Sequence, residues 1–97
     1  GKKHWVVGHQ EPELALVKLY RVTGNTRYVD LAYWMLEERG RGHGRGRIWT
    51  DPKFGAAYCQ DDVPVRALSD ITGHAVRAMY LYTGMADVNM FRPEANY

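Results

Sequence analysis

Cysteine is nearly absent: Cys59 stands alone among 97 residues. An internal disulfide is therefore excluded, and zinc could be held by thiolate only with histidine or carboxylate help. The same scarcity favours a reducing compartment such as the cytoplasm. Charge of one sign is also lacking, because 13 Lys and Arg against 11 Asp and Glu leave a net +2. No run approaches the roughly 18 apolar residues that a membrane-spanning helix needs, so no membrane partner is expected. The chain begins at Gly1 without an initiator Met or a leader-like stretch and closes on Tyr97, which reads as the interior of something longer.

Aromatic residues, by contrast, are plentiful. Trp5, Trp34, Trp49 and seven tyrosines carry more apolar surface than three short helices can bury among themselves, since a domain this small leaves much of its surface exposed. The expected partner is the rest of a larger body, or a second copy in an oligomer.

The hydrophobic periodicity predicts an all-α chain with helices near 12–23, 27–39 and 69–83 and a long loop over 40–68. Lys2, Lys3 and His4 make a basic start, and Trp5-Val6-Val7 reads as a short extended segment turning at Gly8. Pro12 suits a first helical turn, where its missing amide is no loss, with Glu11 and Glu13 at the positive end of the dipole. Gly24-Asn25 stops the first helix, Thr26 is the expected cap of the second, and so tight a turn makes the pair antiparallel. Arg39-Gly-Arg-Gly-His-Gly-Arg-Gly-Arg47 is too rich in glycine for a regular element. Ser69 or Asp70 is the expected cap of the third helix, a rod apolar most of the way round. Gly84 is the expected stop, with a further helix over 86–91.

Two turns echo one another. Leu19-Tyr20-Arg21-Val22-Thr23-Gly24 and Met79-Tyr80-Leu81-Tyr82-Thr83-Gly84 lie 60 residues apart, and repeated helical hairpins of that period suggest an α/α toroid or solenoid. A Gly-His pair lies near the start of each of these helices, Gly8-His9 and Gly73-His74. The two imidazoles are expected to share one mouth, offset by about 7.5 Å at 1.5 Å per helical residue.

Two ungapped blocks, Gly8-His9-Gln10-Glu11-Pro12-Glu13-Leu14 onward to Tyr28 and Pro64-Val65-Arg66 through Gly73-His74-Ala75-Val76-Arg77 to Asp87, resemble the β-L-arabinofuranosidases of glycoside hydrolase family 127. The resemblance implies that 1–97 is a fragment of a single (α/α)6 barrel catalytic domain. His9 and His74 would then hydrogen-bond the hydroxyls of an L-arabinofuranoside-type carbohydrate at the barrel mouth, with Glu11, Gln60 and Asp62 as further substrate-binding candidates. Relatives often carry histidine where Asp62 stands and Glu-Gln where Ala67-Leu68 follows Arg66, which implies altered sugar contacts in that loop. The family's cysteine nucleophile, acid/base glutamate and zinc-ligand cysteines belong further downstream. By the resemblance, no catalytic residue and no cofactor site lie in this segment, zinc belongs to the full-length enzyme, and the segment alone is inactive.

Plainer readings stand beside these. Histidines at helix starts can be satisfied structural groups, and Glu11 and Glu13 first-turn acids. Asp61-Asp62 is a turn more readily than a cation site, since hard cations take more oxygen ligands than two neighbours supply. The same pair does not meet the geometry of two carboxyls facing each other across a glycosidic bond. Cys59 reads as a buried spectator. The Arg-Gly run could be an RNA-binding tract, but Glu37 and Glu38 offset it and a solvated loop without nucleic acid is expected. The competing function is a helical-hairpin module whose exposed aromatic surface serves a protein partner.

Overall fold

The computed structural model describes residues 5–97, so the basic start at Lys2, Lys3 and His4 lies outside the described residues. Among the described residues all regular structure is helical: α1 (Pro12–Thr23), α2 (Thr26–Glu38), the single turns α3 (Arg47–Thr50) and α4 (Gly55–Tyr58), and the long α5 (Ala75–Phe91). Turns of 3-10 helix at Val65–Ala67 and Pro93–Ala95 complete the chain. Among the described residues no helix is long and apolar enough to cross a membrane.

Helix α1 takes the bounds its periodicity gives. Pro12 sits in the first turn, and Gly24, at φ 71°, donates its N–H to the Tyr20 carbonyl at 2.7 Å to close the end; glycine reaches that left-handed conformation without a Cβ clash. The cap of α2 is Asn25 rather than Thr26, its Oδ1 accepting from the Arg27 amide at 3.0 Å. Two residues between helices force α2 back along α1.

The third long helix departs from expectation at both ends. It starts at Ala75, because Gly73 at φ 78° breaks the helical path and the Ser69 hydroxyl bonds the Asp70 carboxylate instead of a backbone amide. His74 is the capping residue, Nδ1 accepting from the Arg77 amide at 3.5 Å. Nor does Gly84 stop it: α5 runs on through Phe91 as one rod and ends where Pro93 drives Arg92 out of the helical region, to φ −132° and ψ 69°. Gly84 is buried within the helix because α1 crosses there. A Cβ at position 84 would lie 3.2 Å from the Glu13 Cβ.

Contacts between α1 and α5 pair His9 with Tyr80, Glu13 with Gly84 and Tyr20 with Phe91. Each partner lies 71 residues on from the first, so the two helices run parallel and α2 returns antiparallel beside them. Val17, Ala32, Leu36, Leu81 and Val88 meet in the core, joined by Val65 from the first 3-10 turn. Helix α5 is apolar most of the way round, as expected, yet its burial is one-sided: Ala78, Leu81, Gly84 and Val88 face inward while Val76, Met79 and Met90 are half exposed or more.

The stretch 40–68 is more ordered than a loop. Arg39 is not part of a solvated run but fully buried, donating to the Cys59 carbonyl at 2.8 Å and the Val7 carbonyl at 2.7 Å. Asp61 accepts from the Gly40 amide at 2.6 Å and from the Trp49 indole at 2.8 Å. These bonds pin both flanks of the glycine-arginine run to the body of the molecule.

Candidate functional site

The parallel run of α1 and α5 puts the N-terminal ends of both helices at one end of the bundle, and each end presents an imidazole. His9, three residues ahead of α1, packs its ring edge-on against Tyr80 at 5.4 Å. Its Nδ1 lies 3.2 Å from the Gln10 carbonyl. A carbonyl only accepts, so in the neutral ring Nδ1 carries the proton and Nε2 is left as an acceptor. His74 is the reverse: its Nδ1 accepts from the Arg77 amide, so Nε2 carries the proton and donates. The two rings thus offer one acceptor and one donor, a pair suited to hydroxyl groups, which do both.

A buried amide pair joins the two entrances. Gln10 Nε2 donates to Gln60 Oε1 at 2.8 Å and to the Cys59 carbonyl at 2.7 Å. Gln60 Nε2 in turn donates to the carbonyls of Thr72 at 2.9 Å and His74 at 3.1 Å. Gln60 itself stands at φ 53°, outside the usual region for a residue with a Cβ. Both side chains are 1% exposed or less; Gln10 Oε1 has no partner, but the bonds donated by the two amide nitrogens hold both side chains in one geometry. Gly73 closes the join, since a Cβ there would strike the Ala57 carbonyl.

Around His9 lies an open cleft of about 610 Å³ lined by Glu11, Leu14, Ala15, Lys18 and Tyr80. Hydrogen bonding to Glu11 holds the proton on the Tyr80 phenol and raises its pKa. Asp62 is exposed, next to the buried Asp61. Of the five residues proposed from sequence, His9 and Glu11 line one cleft, His74 sits on the adjoining helix entrance, Gln60 is buried between them with its amide engaged, and Asp62 faces solvent. A second hollow, about 450 Å³ between Val65, Leu68, Tyr82 and Tyr97, contains neither histidine.

Glu13 proves unlike a first-turn surface acid. It is 1% exposed, and neither carboxylate oxygen has a hydrogen-bond partner. Burial lifts its carboxyl above the ordinary range, against the opposing pull of backbone amides and the Arg39 charge. Arg39 is pushed down by its own burial. Cys59 is fully buried, its thiol raised by loss of solvent, with Arg77 Nη1 at 4.0 Å from Sγ. A buried thiol beside a guanidinium is a poor partner for a metal cation, and among the described residues no three His, Cys, Asp or Glu side chains converge as ligands. Sequence reasoning missed the inward turn of Gln10 and Arg39, since nothing in periodicity marks an amide or a guanidinium that is buried.

The fold and this end of the bundle define an all-helical segment presenting polar, hydroxyl-matching groups at paired helix entrances. The family model for the β-L-arabinofuranosidase GH127 catalytic domain matches residues 1–97, and the chain belongs to that family. The non-reducing end β-L-arabinofuranosidase of Bifidobacterium longum subsp. longum is 39% identical over 99 residues, covering 91% of this chain and 15% of that protein. A solved GH127 β-arabinofuranosidase superposes with TM-score 0.81 at 42% identity, over 99% of this chain and 14% of that one. The GH127 β-L-arabinofuranosidase from Geobacillus stearothermophilus T6 gives TM-score 0.76 at 39% identity, over 96% of this chain and 16% of its own. The chain thus spans about 15% of the length of the relatives it matches, as a fragment of a GH127 β-L-arabinofuranosidase-like glycoside hydrolase.

Proposed function

We propose that the protein containing this chain hydrolyses terminal β-L-arabinofuranosyl linkages, and that His9 and His74 bind the sugar's hydroxyls at the mouth of an (α/α)6 barrel. The single observation that carries this reading is the pairing of complementary imidazoles at two parallel helix entrances tied by Gln10 and Gln60. His9 Nε2 accepts from one hydroxyl and His74 Nε2 donates to another. Glu11 and Asp62 supply further acceptors, while Gln60, its amide already engaged, acts by fixing the His74 backbone. Parallel neighbours with an antiparallel return suit the alternation of inner and outer helices in such a barrel. The exposed apolar side chains, Val22, Val76, Met79 and Met90 among them, then pack against the remaining helices rather than against a separate protein.

On this reading the nucleophilic cysteine, the acid/base glutamate and the zinc that activates the thiolate belong outside residues 1–97. The chain's own work is to bind and orient the furanose, and alone it does not hydrolyse. Removing a positioned hydrogen-bond group from such a site costs on the order of a hundredfold in turnover. His74→Ala and His9→Ala in the full-length protein are therefore expected to lower kcat/KM for an aryl β-L-arabinofuranoside by about that factor. Unchanged kinetics in both variants, or cleavage by the isolated 97 residues that vanishes on His74→Ala, would overturn the assignment.

A further inference from the structure

His9 sits between two anchored neighbours, and the residue that follows α2 takes part in anchoring both. Arg39 Nη2 donates to the Val7 carbonyl at 2.7 Å, two residues ahead of the imidazole, and Nη1 donates to the Cys59 carbonyl at 2.8 Å. The Cys59 carbonyl also accepts from Gln10 Nε2 at 2.7 Å, one residue behind the imidazole. A carbonyl oxygen has two lone pairs, so it serves both donors at once. The chain on either side of His9 is thereby tied to one guanidinium. Position 59 also adjoins Gln60, whose amide holds the His74 carbonyl.

The antiparallel return of α2 brings Arg39 to this place, because α2 ends at Glu38, at the end of the bundle where α1 and α5 begin. The chain then turns at Gly40, φ 81°, where a Cβ would strike the Val63 carbonyl. The Gly40 amide donates to Asp61, which also takes the Trp49 indole, and the Trp49 ring borders Gly8. These contacts fix the Arg39 backbone. Its side chain is fully buried, with Nε unpartnered and both oxygens of the neighbouring Glu13 unpartnered as well. Taking a charge out of water is unfavourable when its partners are incomplete. A planar fork nevertheless does what a lysine ammonium, a point charge on a flexible stem, does not: it holds two carbonyls from distant parts of the chain in one plane.

We propose that Arg39 is a positioning residue of the glycosidase site: its fork fixes residues 7–10 so that the His9 ring, with Nδ1 at the Gln10 carbonyl, keeps Nε2 directed at the substrate. A shift of the Val7 carbonyl reaches His9 through a single intervening residue, Gly8, which has no side chain to resist it. Misplacing a binding group by about 1 Å costs up to about a hundredfold in rate. This rests on the glycosidase reading above and adds to it a residue that touches no substrate and acts through His9.

The test is a double-mutant cycle in the full-length protein, with each variant assayed well below its melting temperature. Arg39→Lys keeps the charge and a single donor group, and is expected to lower kcat/KM for an aryl β-L-arabinofuranoside on the order of tenfold. Arg39→Met keeps the bulk without either donor and should lower it further. In a His9→Ala background the same two substitutions should change kcat/KM by less than about twofold, yet lower Tm as much as they do with His9 present, since a misplaced ring matters only where there is a ring. Equal kinetic losses in both backgrounds would mean that Arg39 only holds the bundle together, and no loss in either would mean that the fork is idle. Each of these overturns the proposal and leaves the glycosidase reading intact. No cleavage by the unsubstituted protein overturns both.

Discussion

Gln10 donates its side-chain amide to that of Gln60 across 2.8 Å, out of reach of solvent. Through this bond the segment leading into α1 is held to the segment leading into α5, although 50 residues separate the two in the chain.

Gln60→Leu removes the donor that serves the carbonyls of Thr72 and His74 and the acceptor that serves Gln10. Buried groups stripped of partners cost about 1–3 kcal/mol each. We expect a loss of roughly 3 kcal/mol in urea unfolding, and a Gln10→Leu, Gln60→Leu double variant less destabilised than the two singles added, with a coupling of about 1 kcal/mol. Strict additivity would show the amides to be independent.

Two left-handed glycines separate backbone strain from collision. At Gly24, φ 71°, an added Cβ meets nothing within 4 Å; at Gly73, φ 78°, it meets the Ala57 carbonyl. Gly24→Ala should cost about 1 kcal/mol, the penalty of the conformation itself. Gly73→Ala should cost at least about 2 kcal/mol more, as overpacking adds to strain, and should also weaken sugar binding because His74 is the next residue. Equal unfolding midpoints for the two variants would refute the crowding.

Gly84→Val tests the crossing of α1 and α5. Helix propensity by itself favours replacing a mid-helix glycine by about 0.5 kcal/mol or more, but the branch would enter the space of the Glu13 Cβ. We expect net destabilisation of about 2 kcal/mol and separation of the Tyr20 and Phe91 rings, read as a change in near-ultraviolet circular dichroism. A gain in stability would place the crossing elsewhere.

The buried Glu13 carboxyl has its pKa raised above the ordinary 4.5. The folded protein therefore keeps this proton to higher pH than the unfolded chain, so the stability it contributes is complete below 4.5 and is lost as pH rises through the folded-state value. Glu13→Gln keeps the shape and removes that loss. Its Tm should match that of the unsubstituted protein near about pH 4 and exceed it near about pH 8. A lower Tm at the higher pH would show that Arg39 compensates the charge in full.

Much of the local structure was legible in the chain. Pro12, Gly24 and the apolar spacing marked α1 and the hairpin, because a missing amide, a left-handed residue and a 3.6-residue period are properties of a few neighbouring residues. Gly84 misled for a physical reason: glycine serves equally at a helix end and where another helix crosses closely, and only the approach of Glu13 distinguishes the two uses. Ser69 likewise looked like a cap, yet Gly73 broke the path and His74 took the role. Arg39 was read with the arginines that follow it, although its guanidinium ends in the core.

By itself the sequence determined the helical class, the hairpin, the family blocks and the two imidazoles within them, all of which depend on residue type and near spacing. Only the tertiary structure decided that α1 and α5 lie parallel, that an amide pair seals their entrances, and that Glu13 is buried without a partner. Those outcomes depend on which faces meet across 50 or more residues, and burial and hydrogen-bond satisfaction are fixed only once the faces have met.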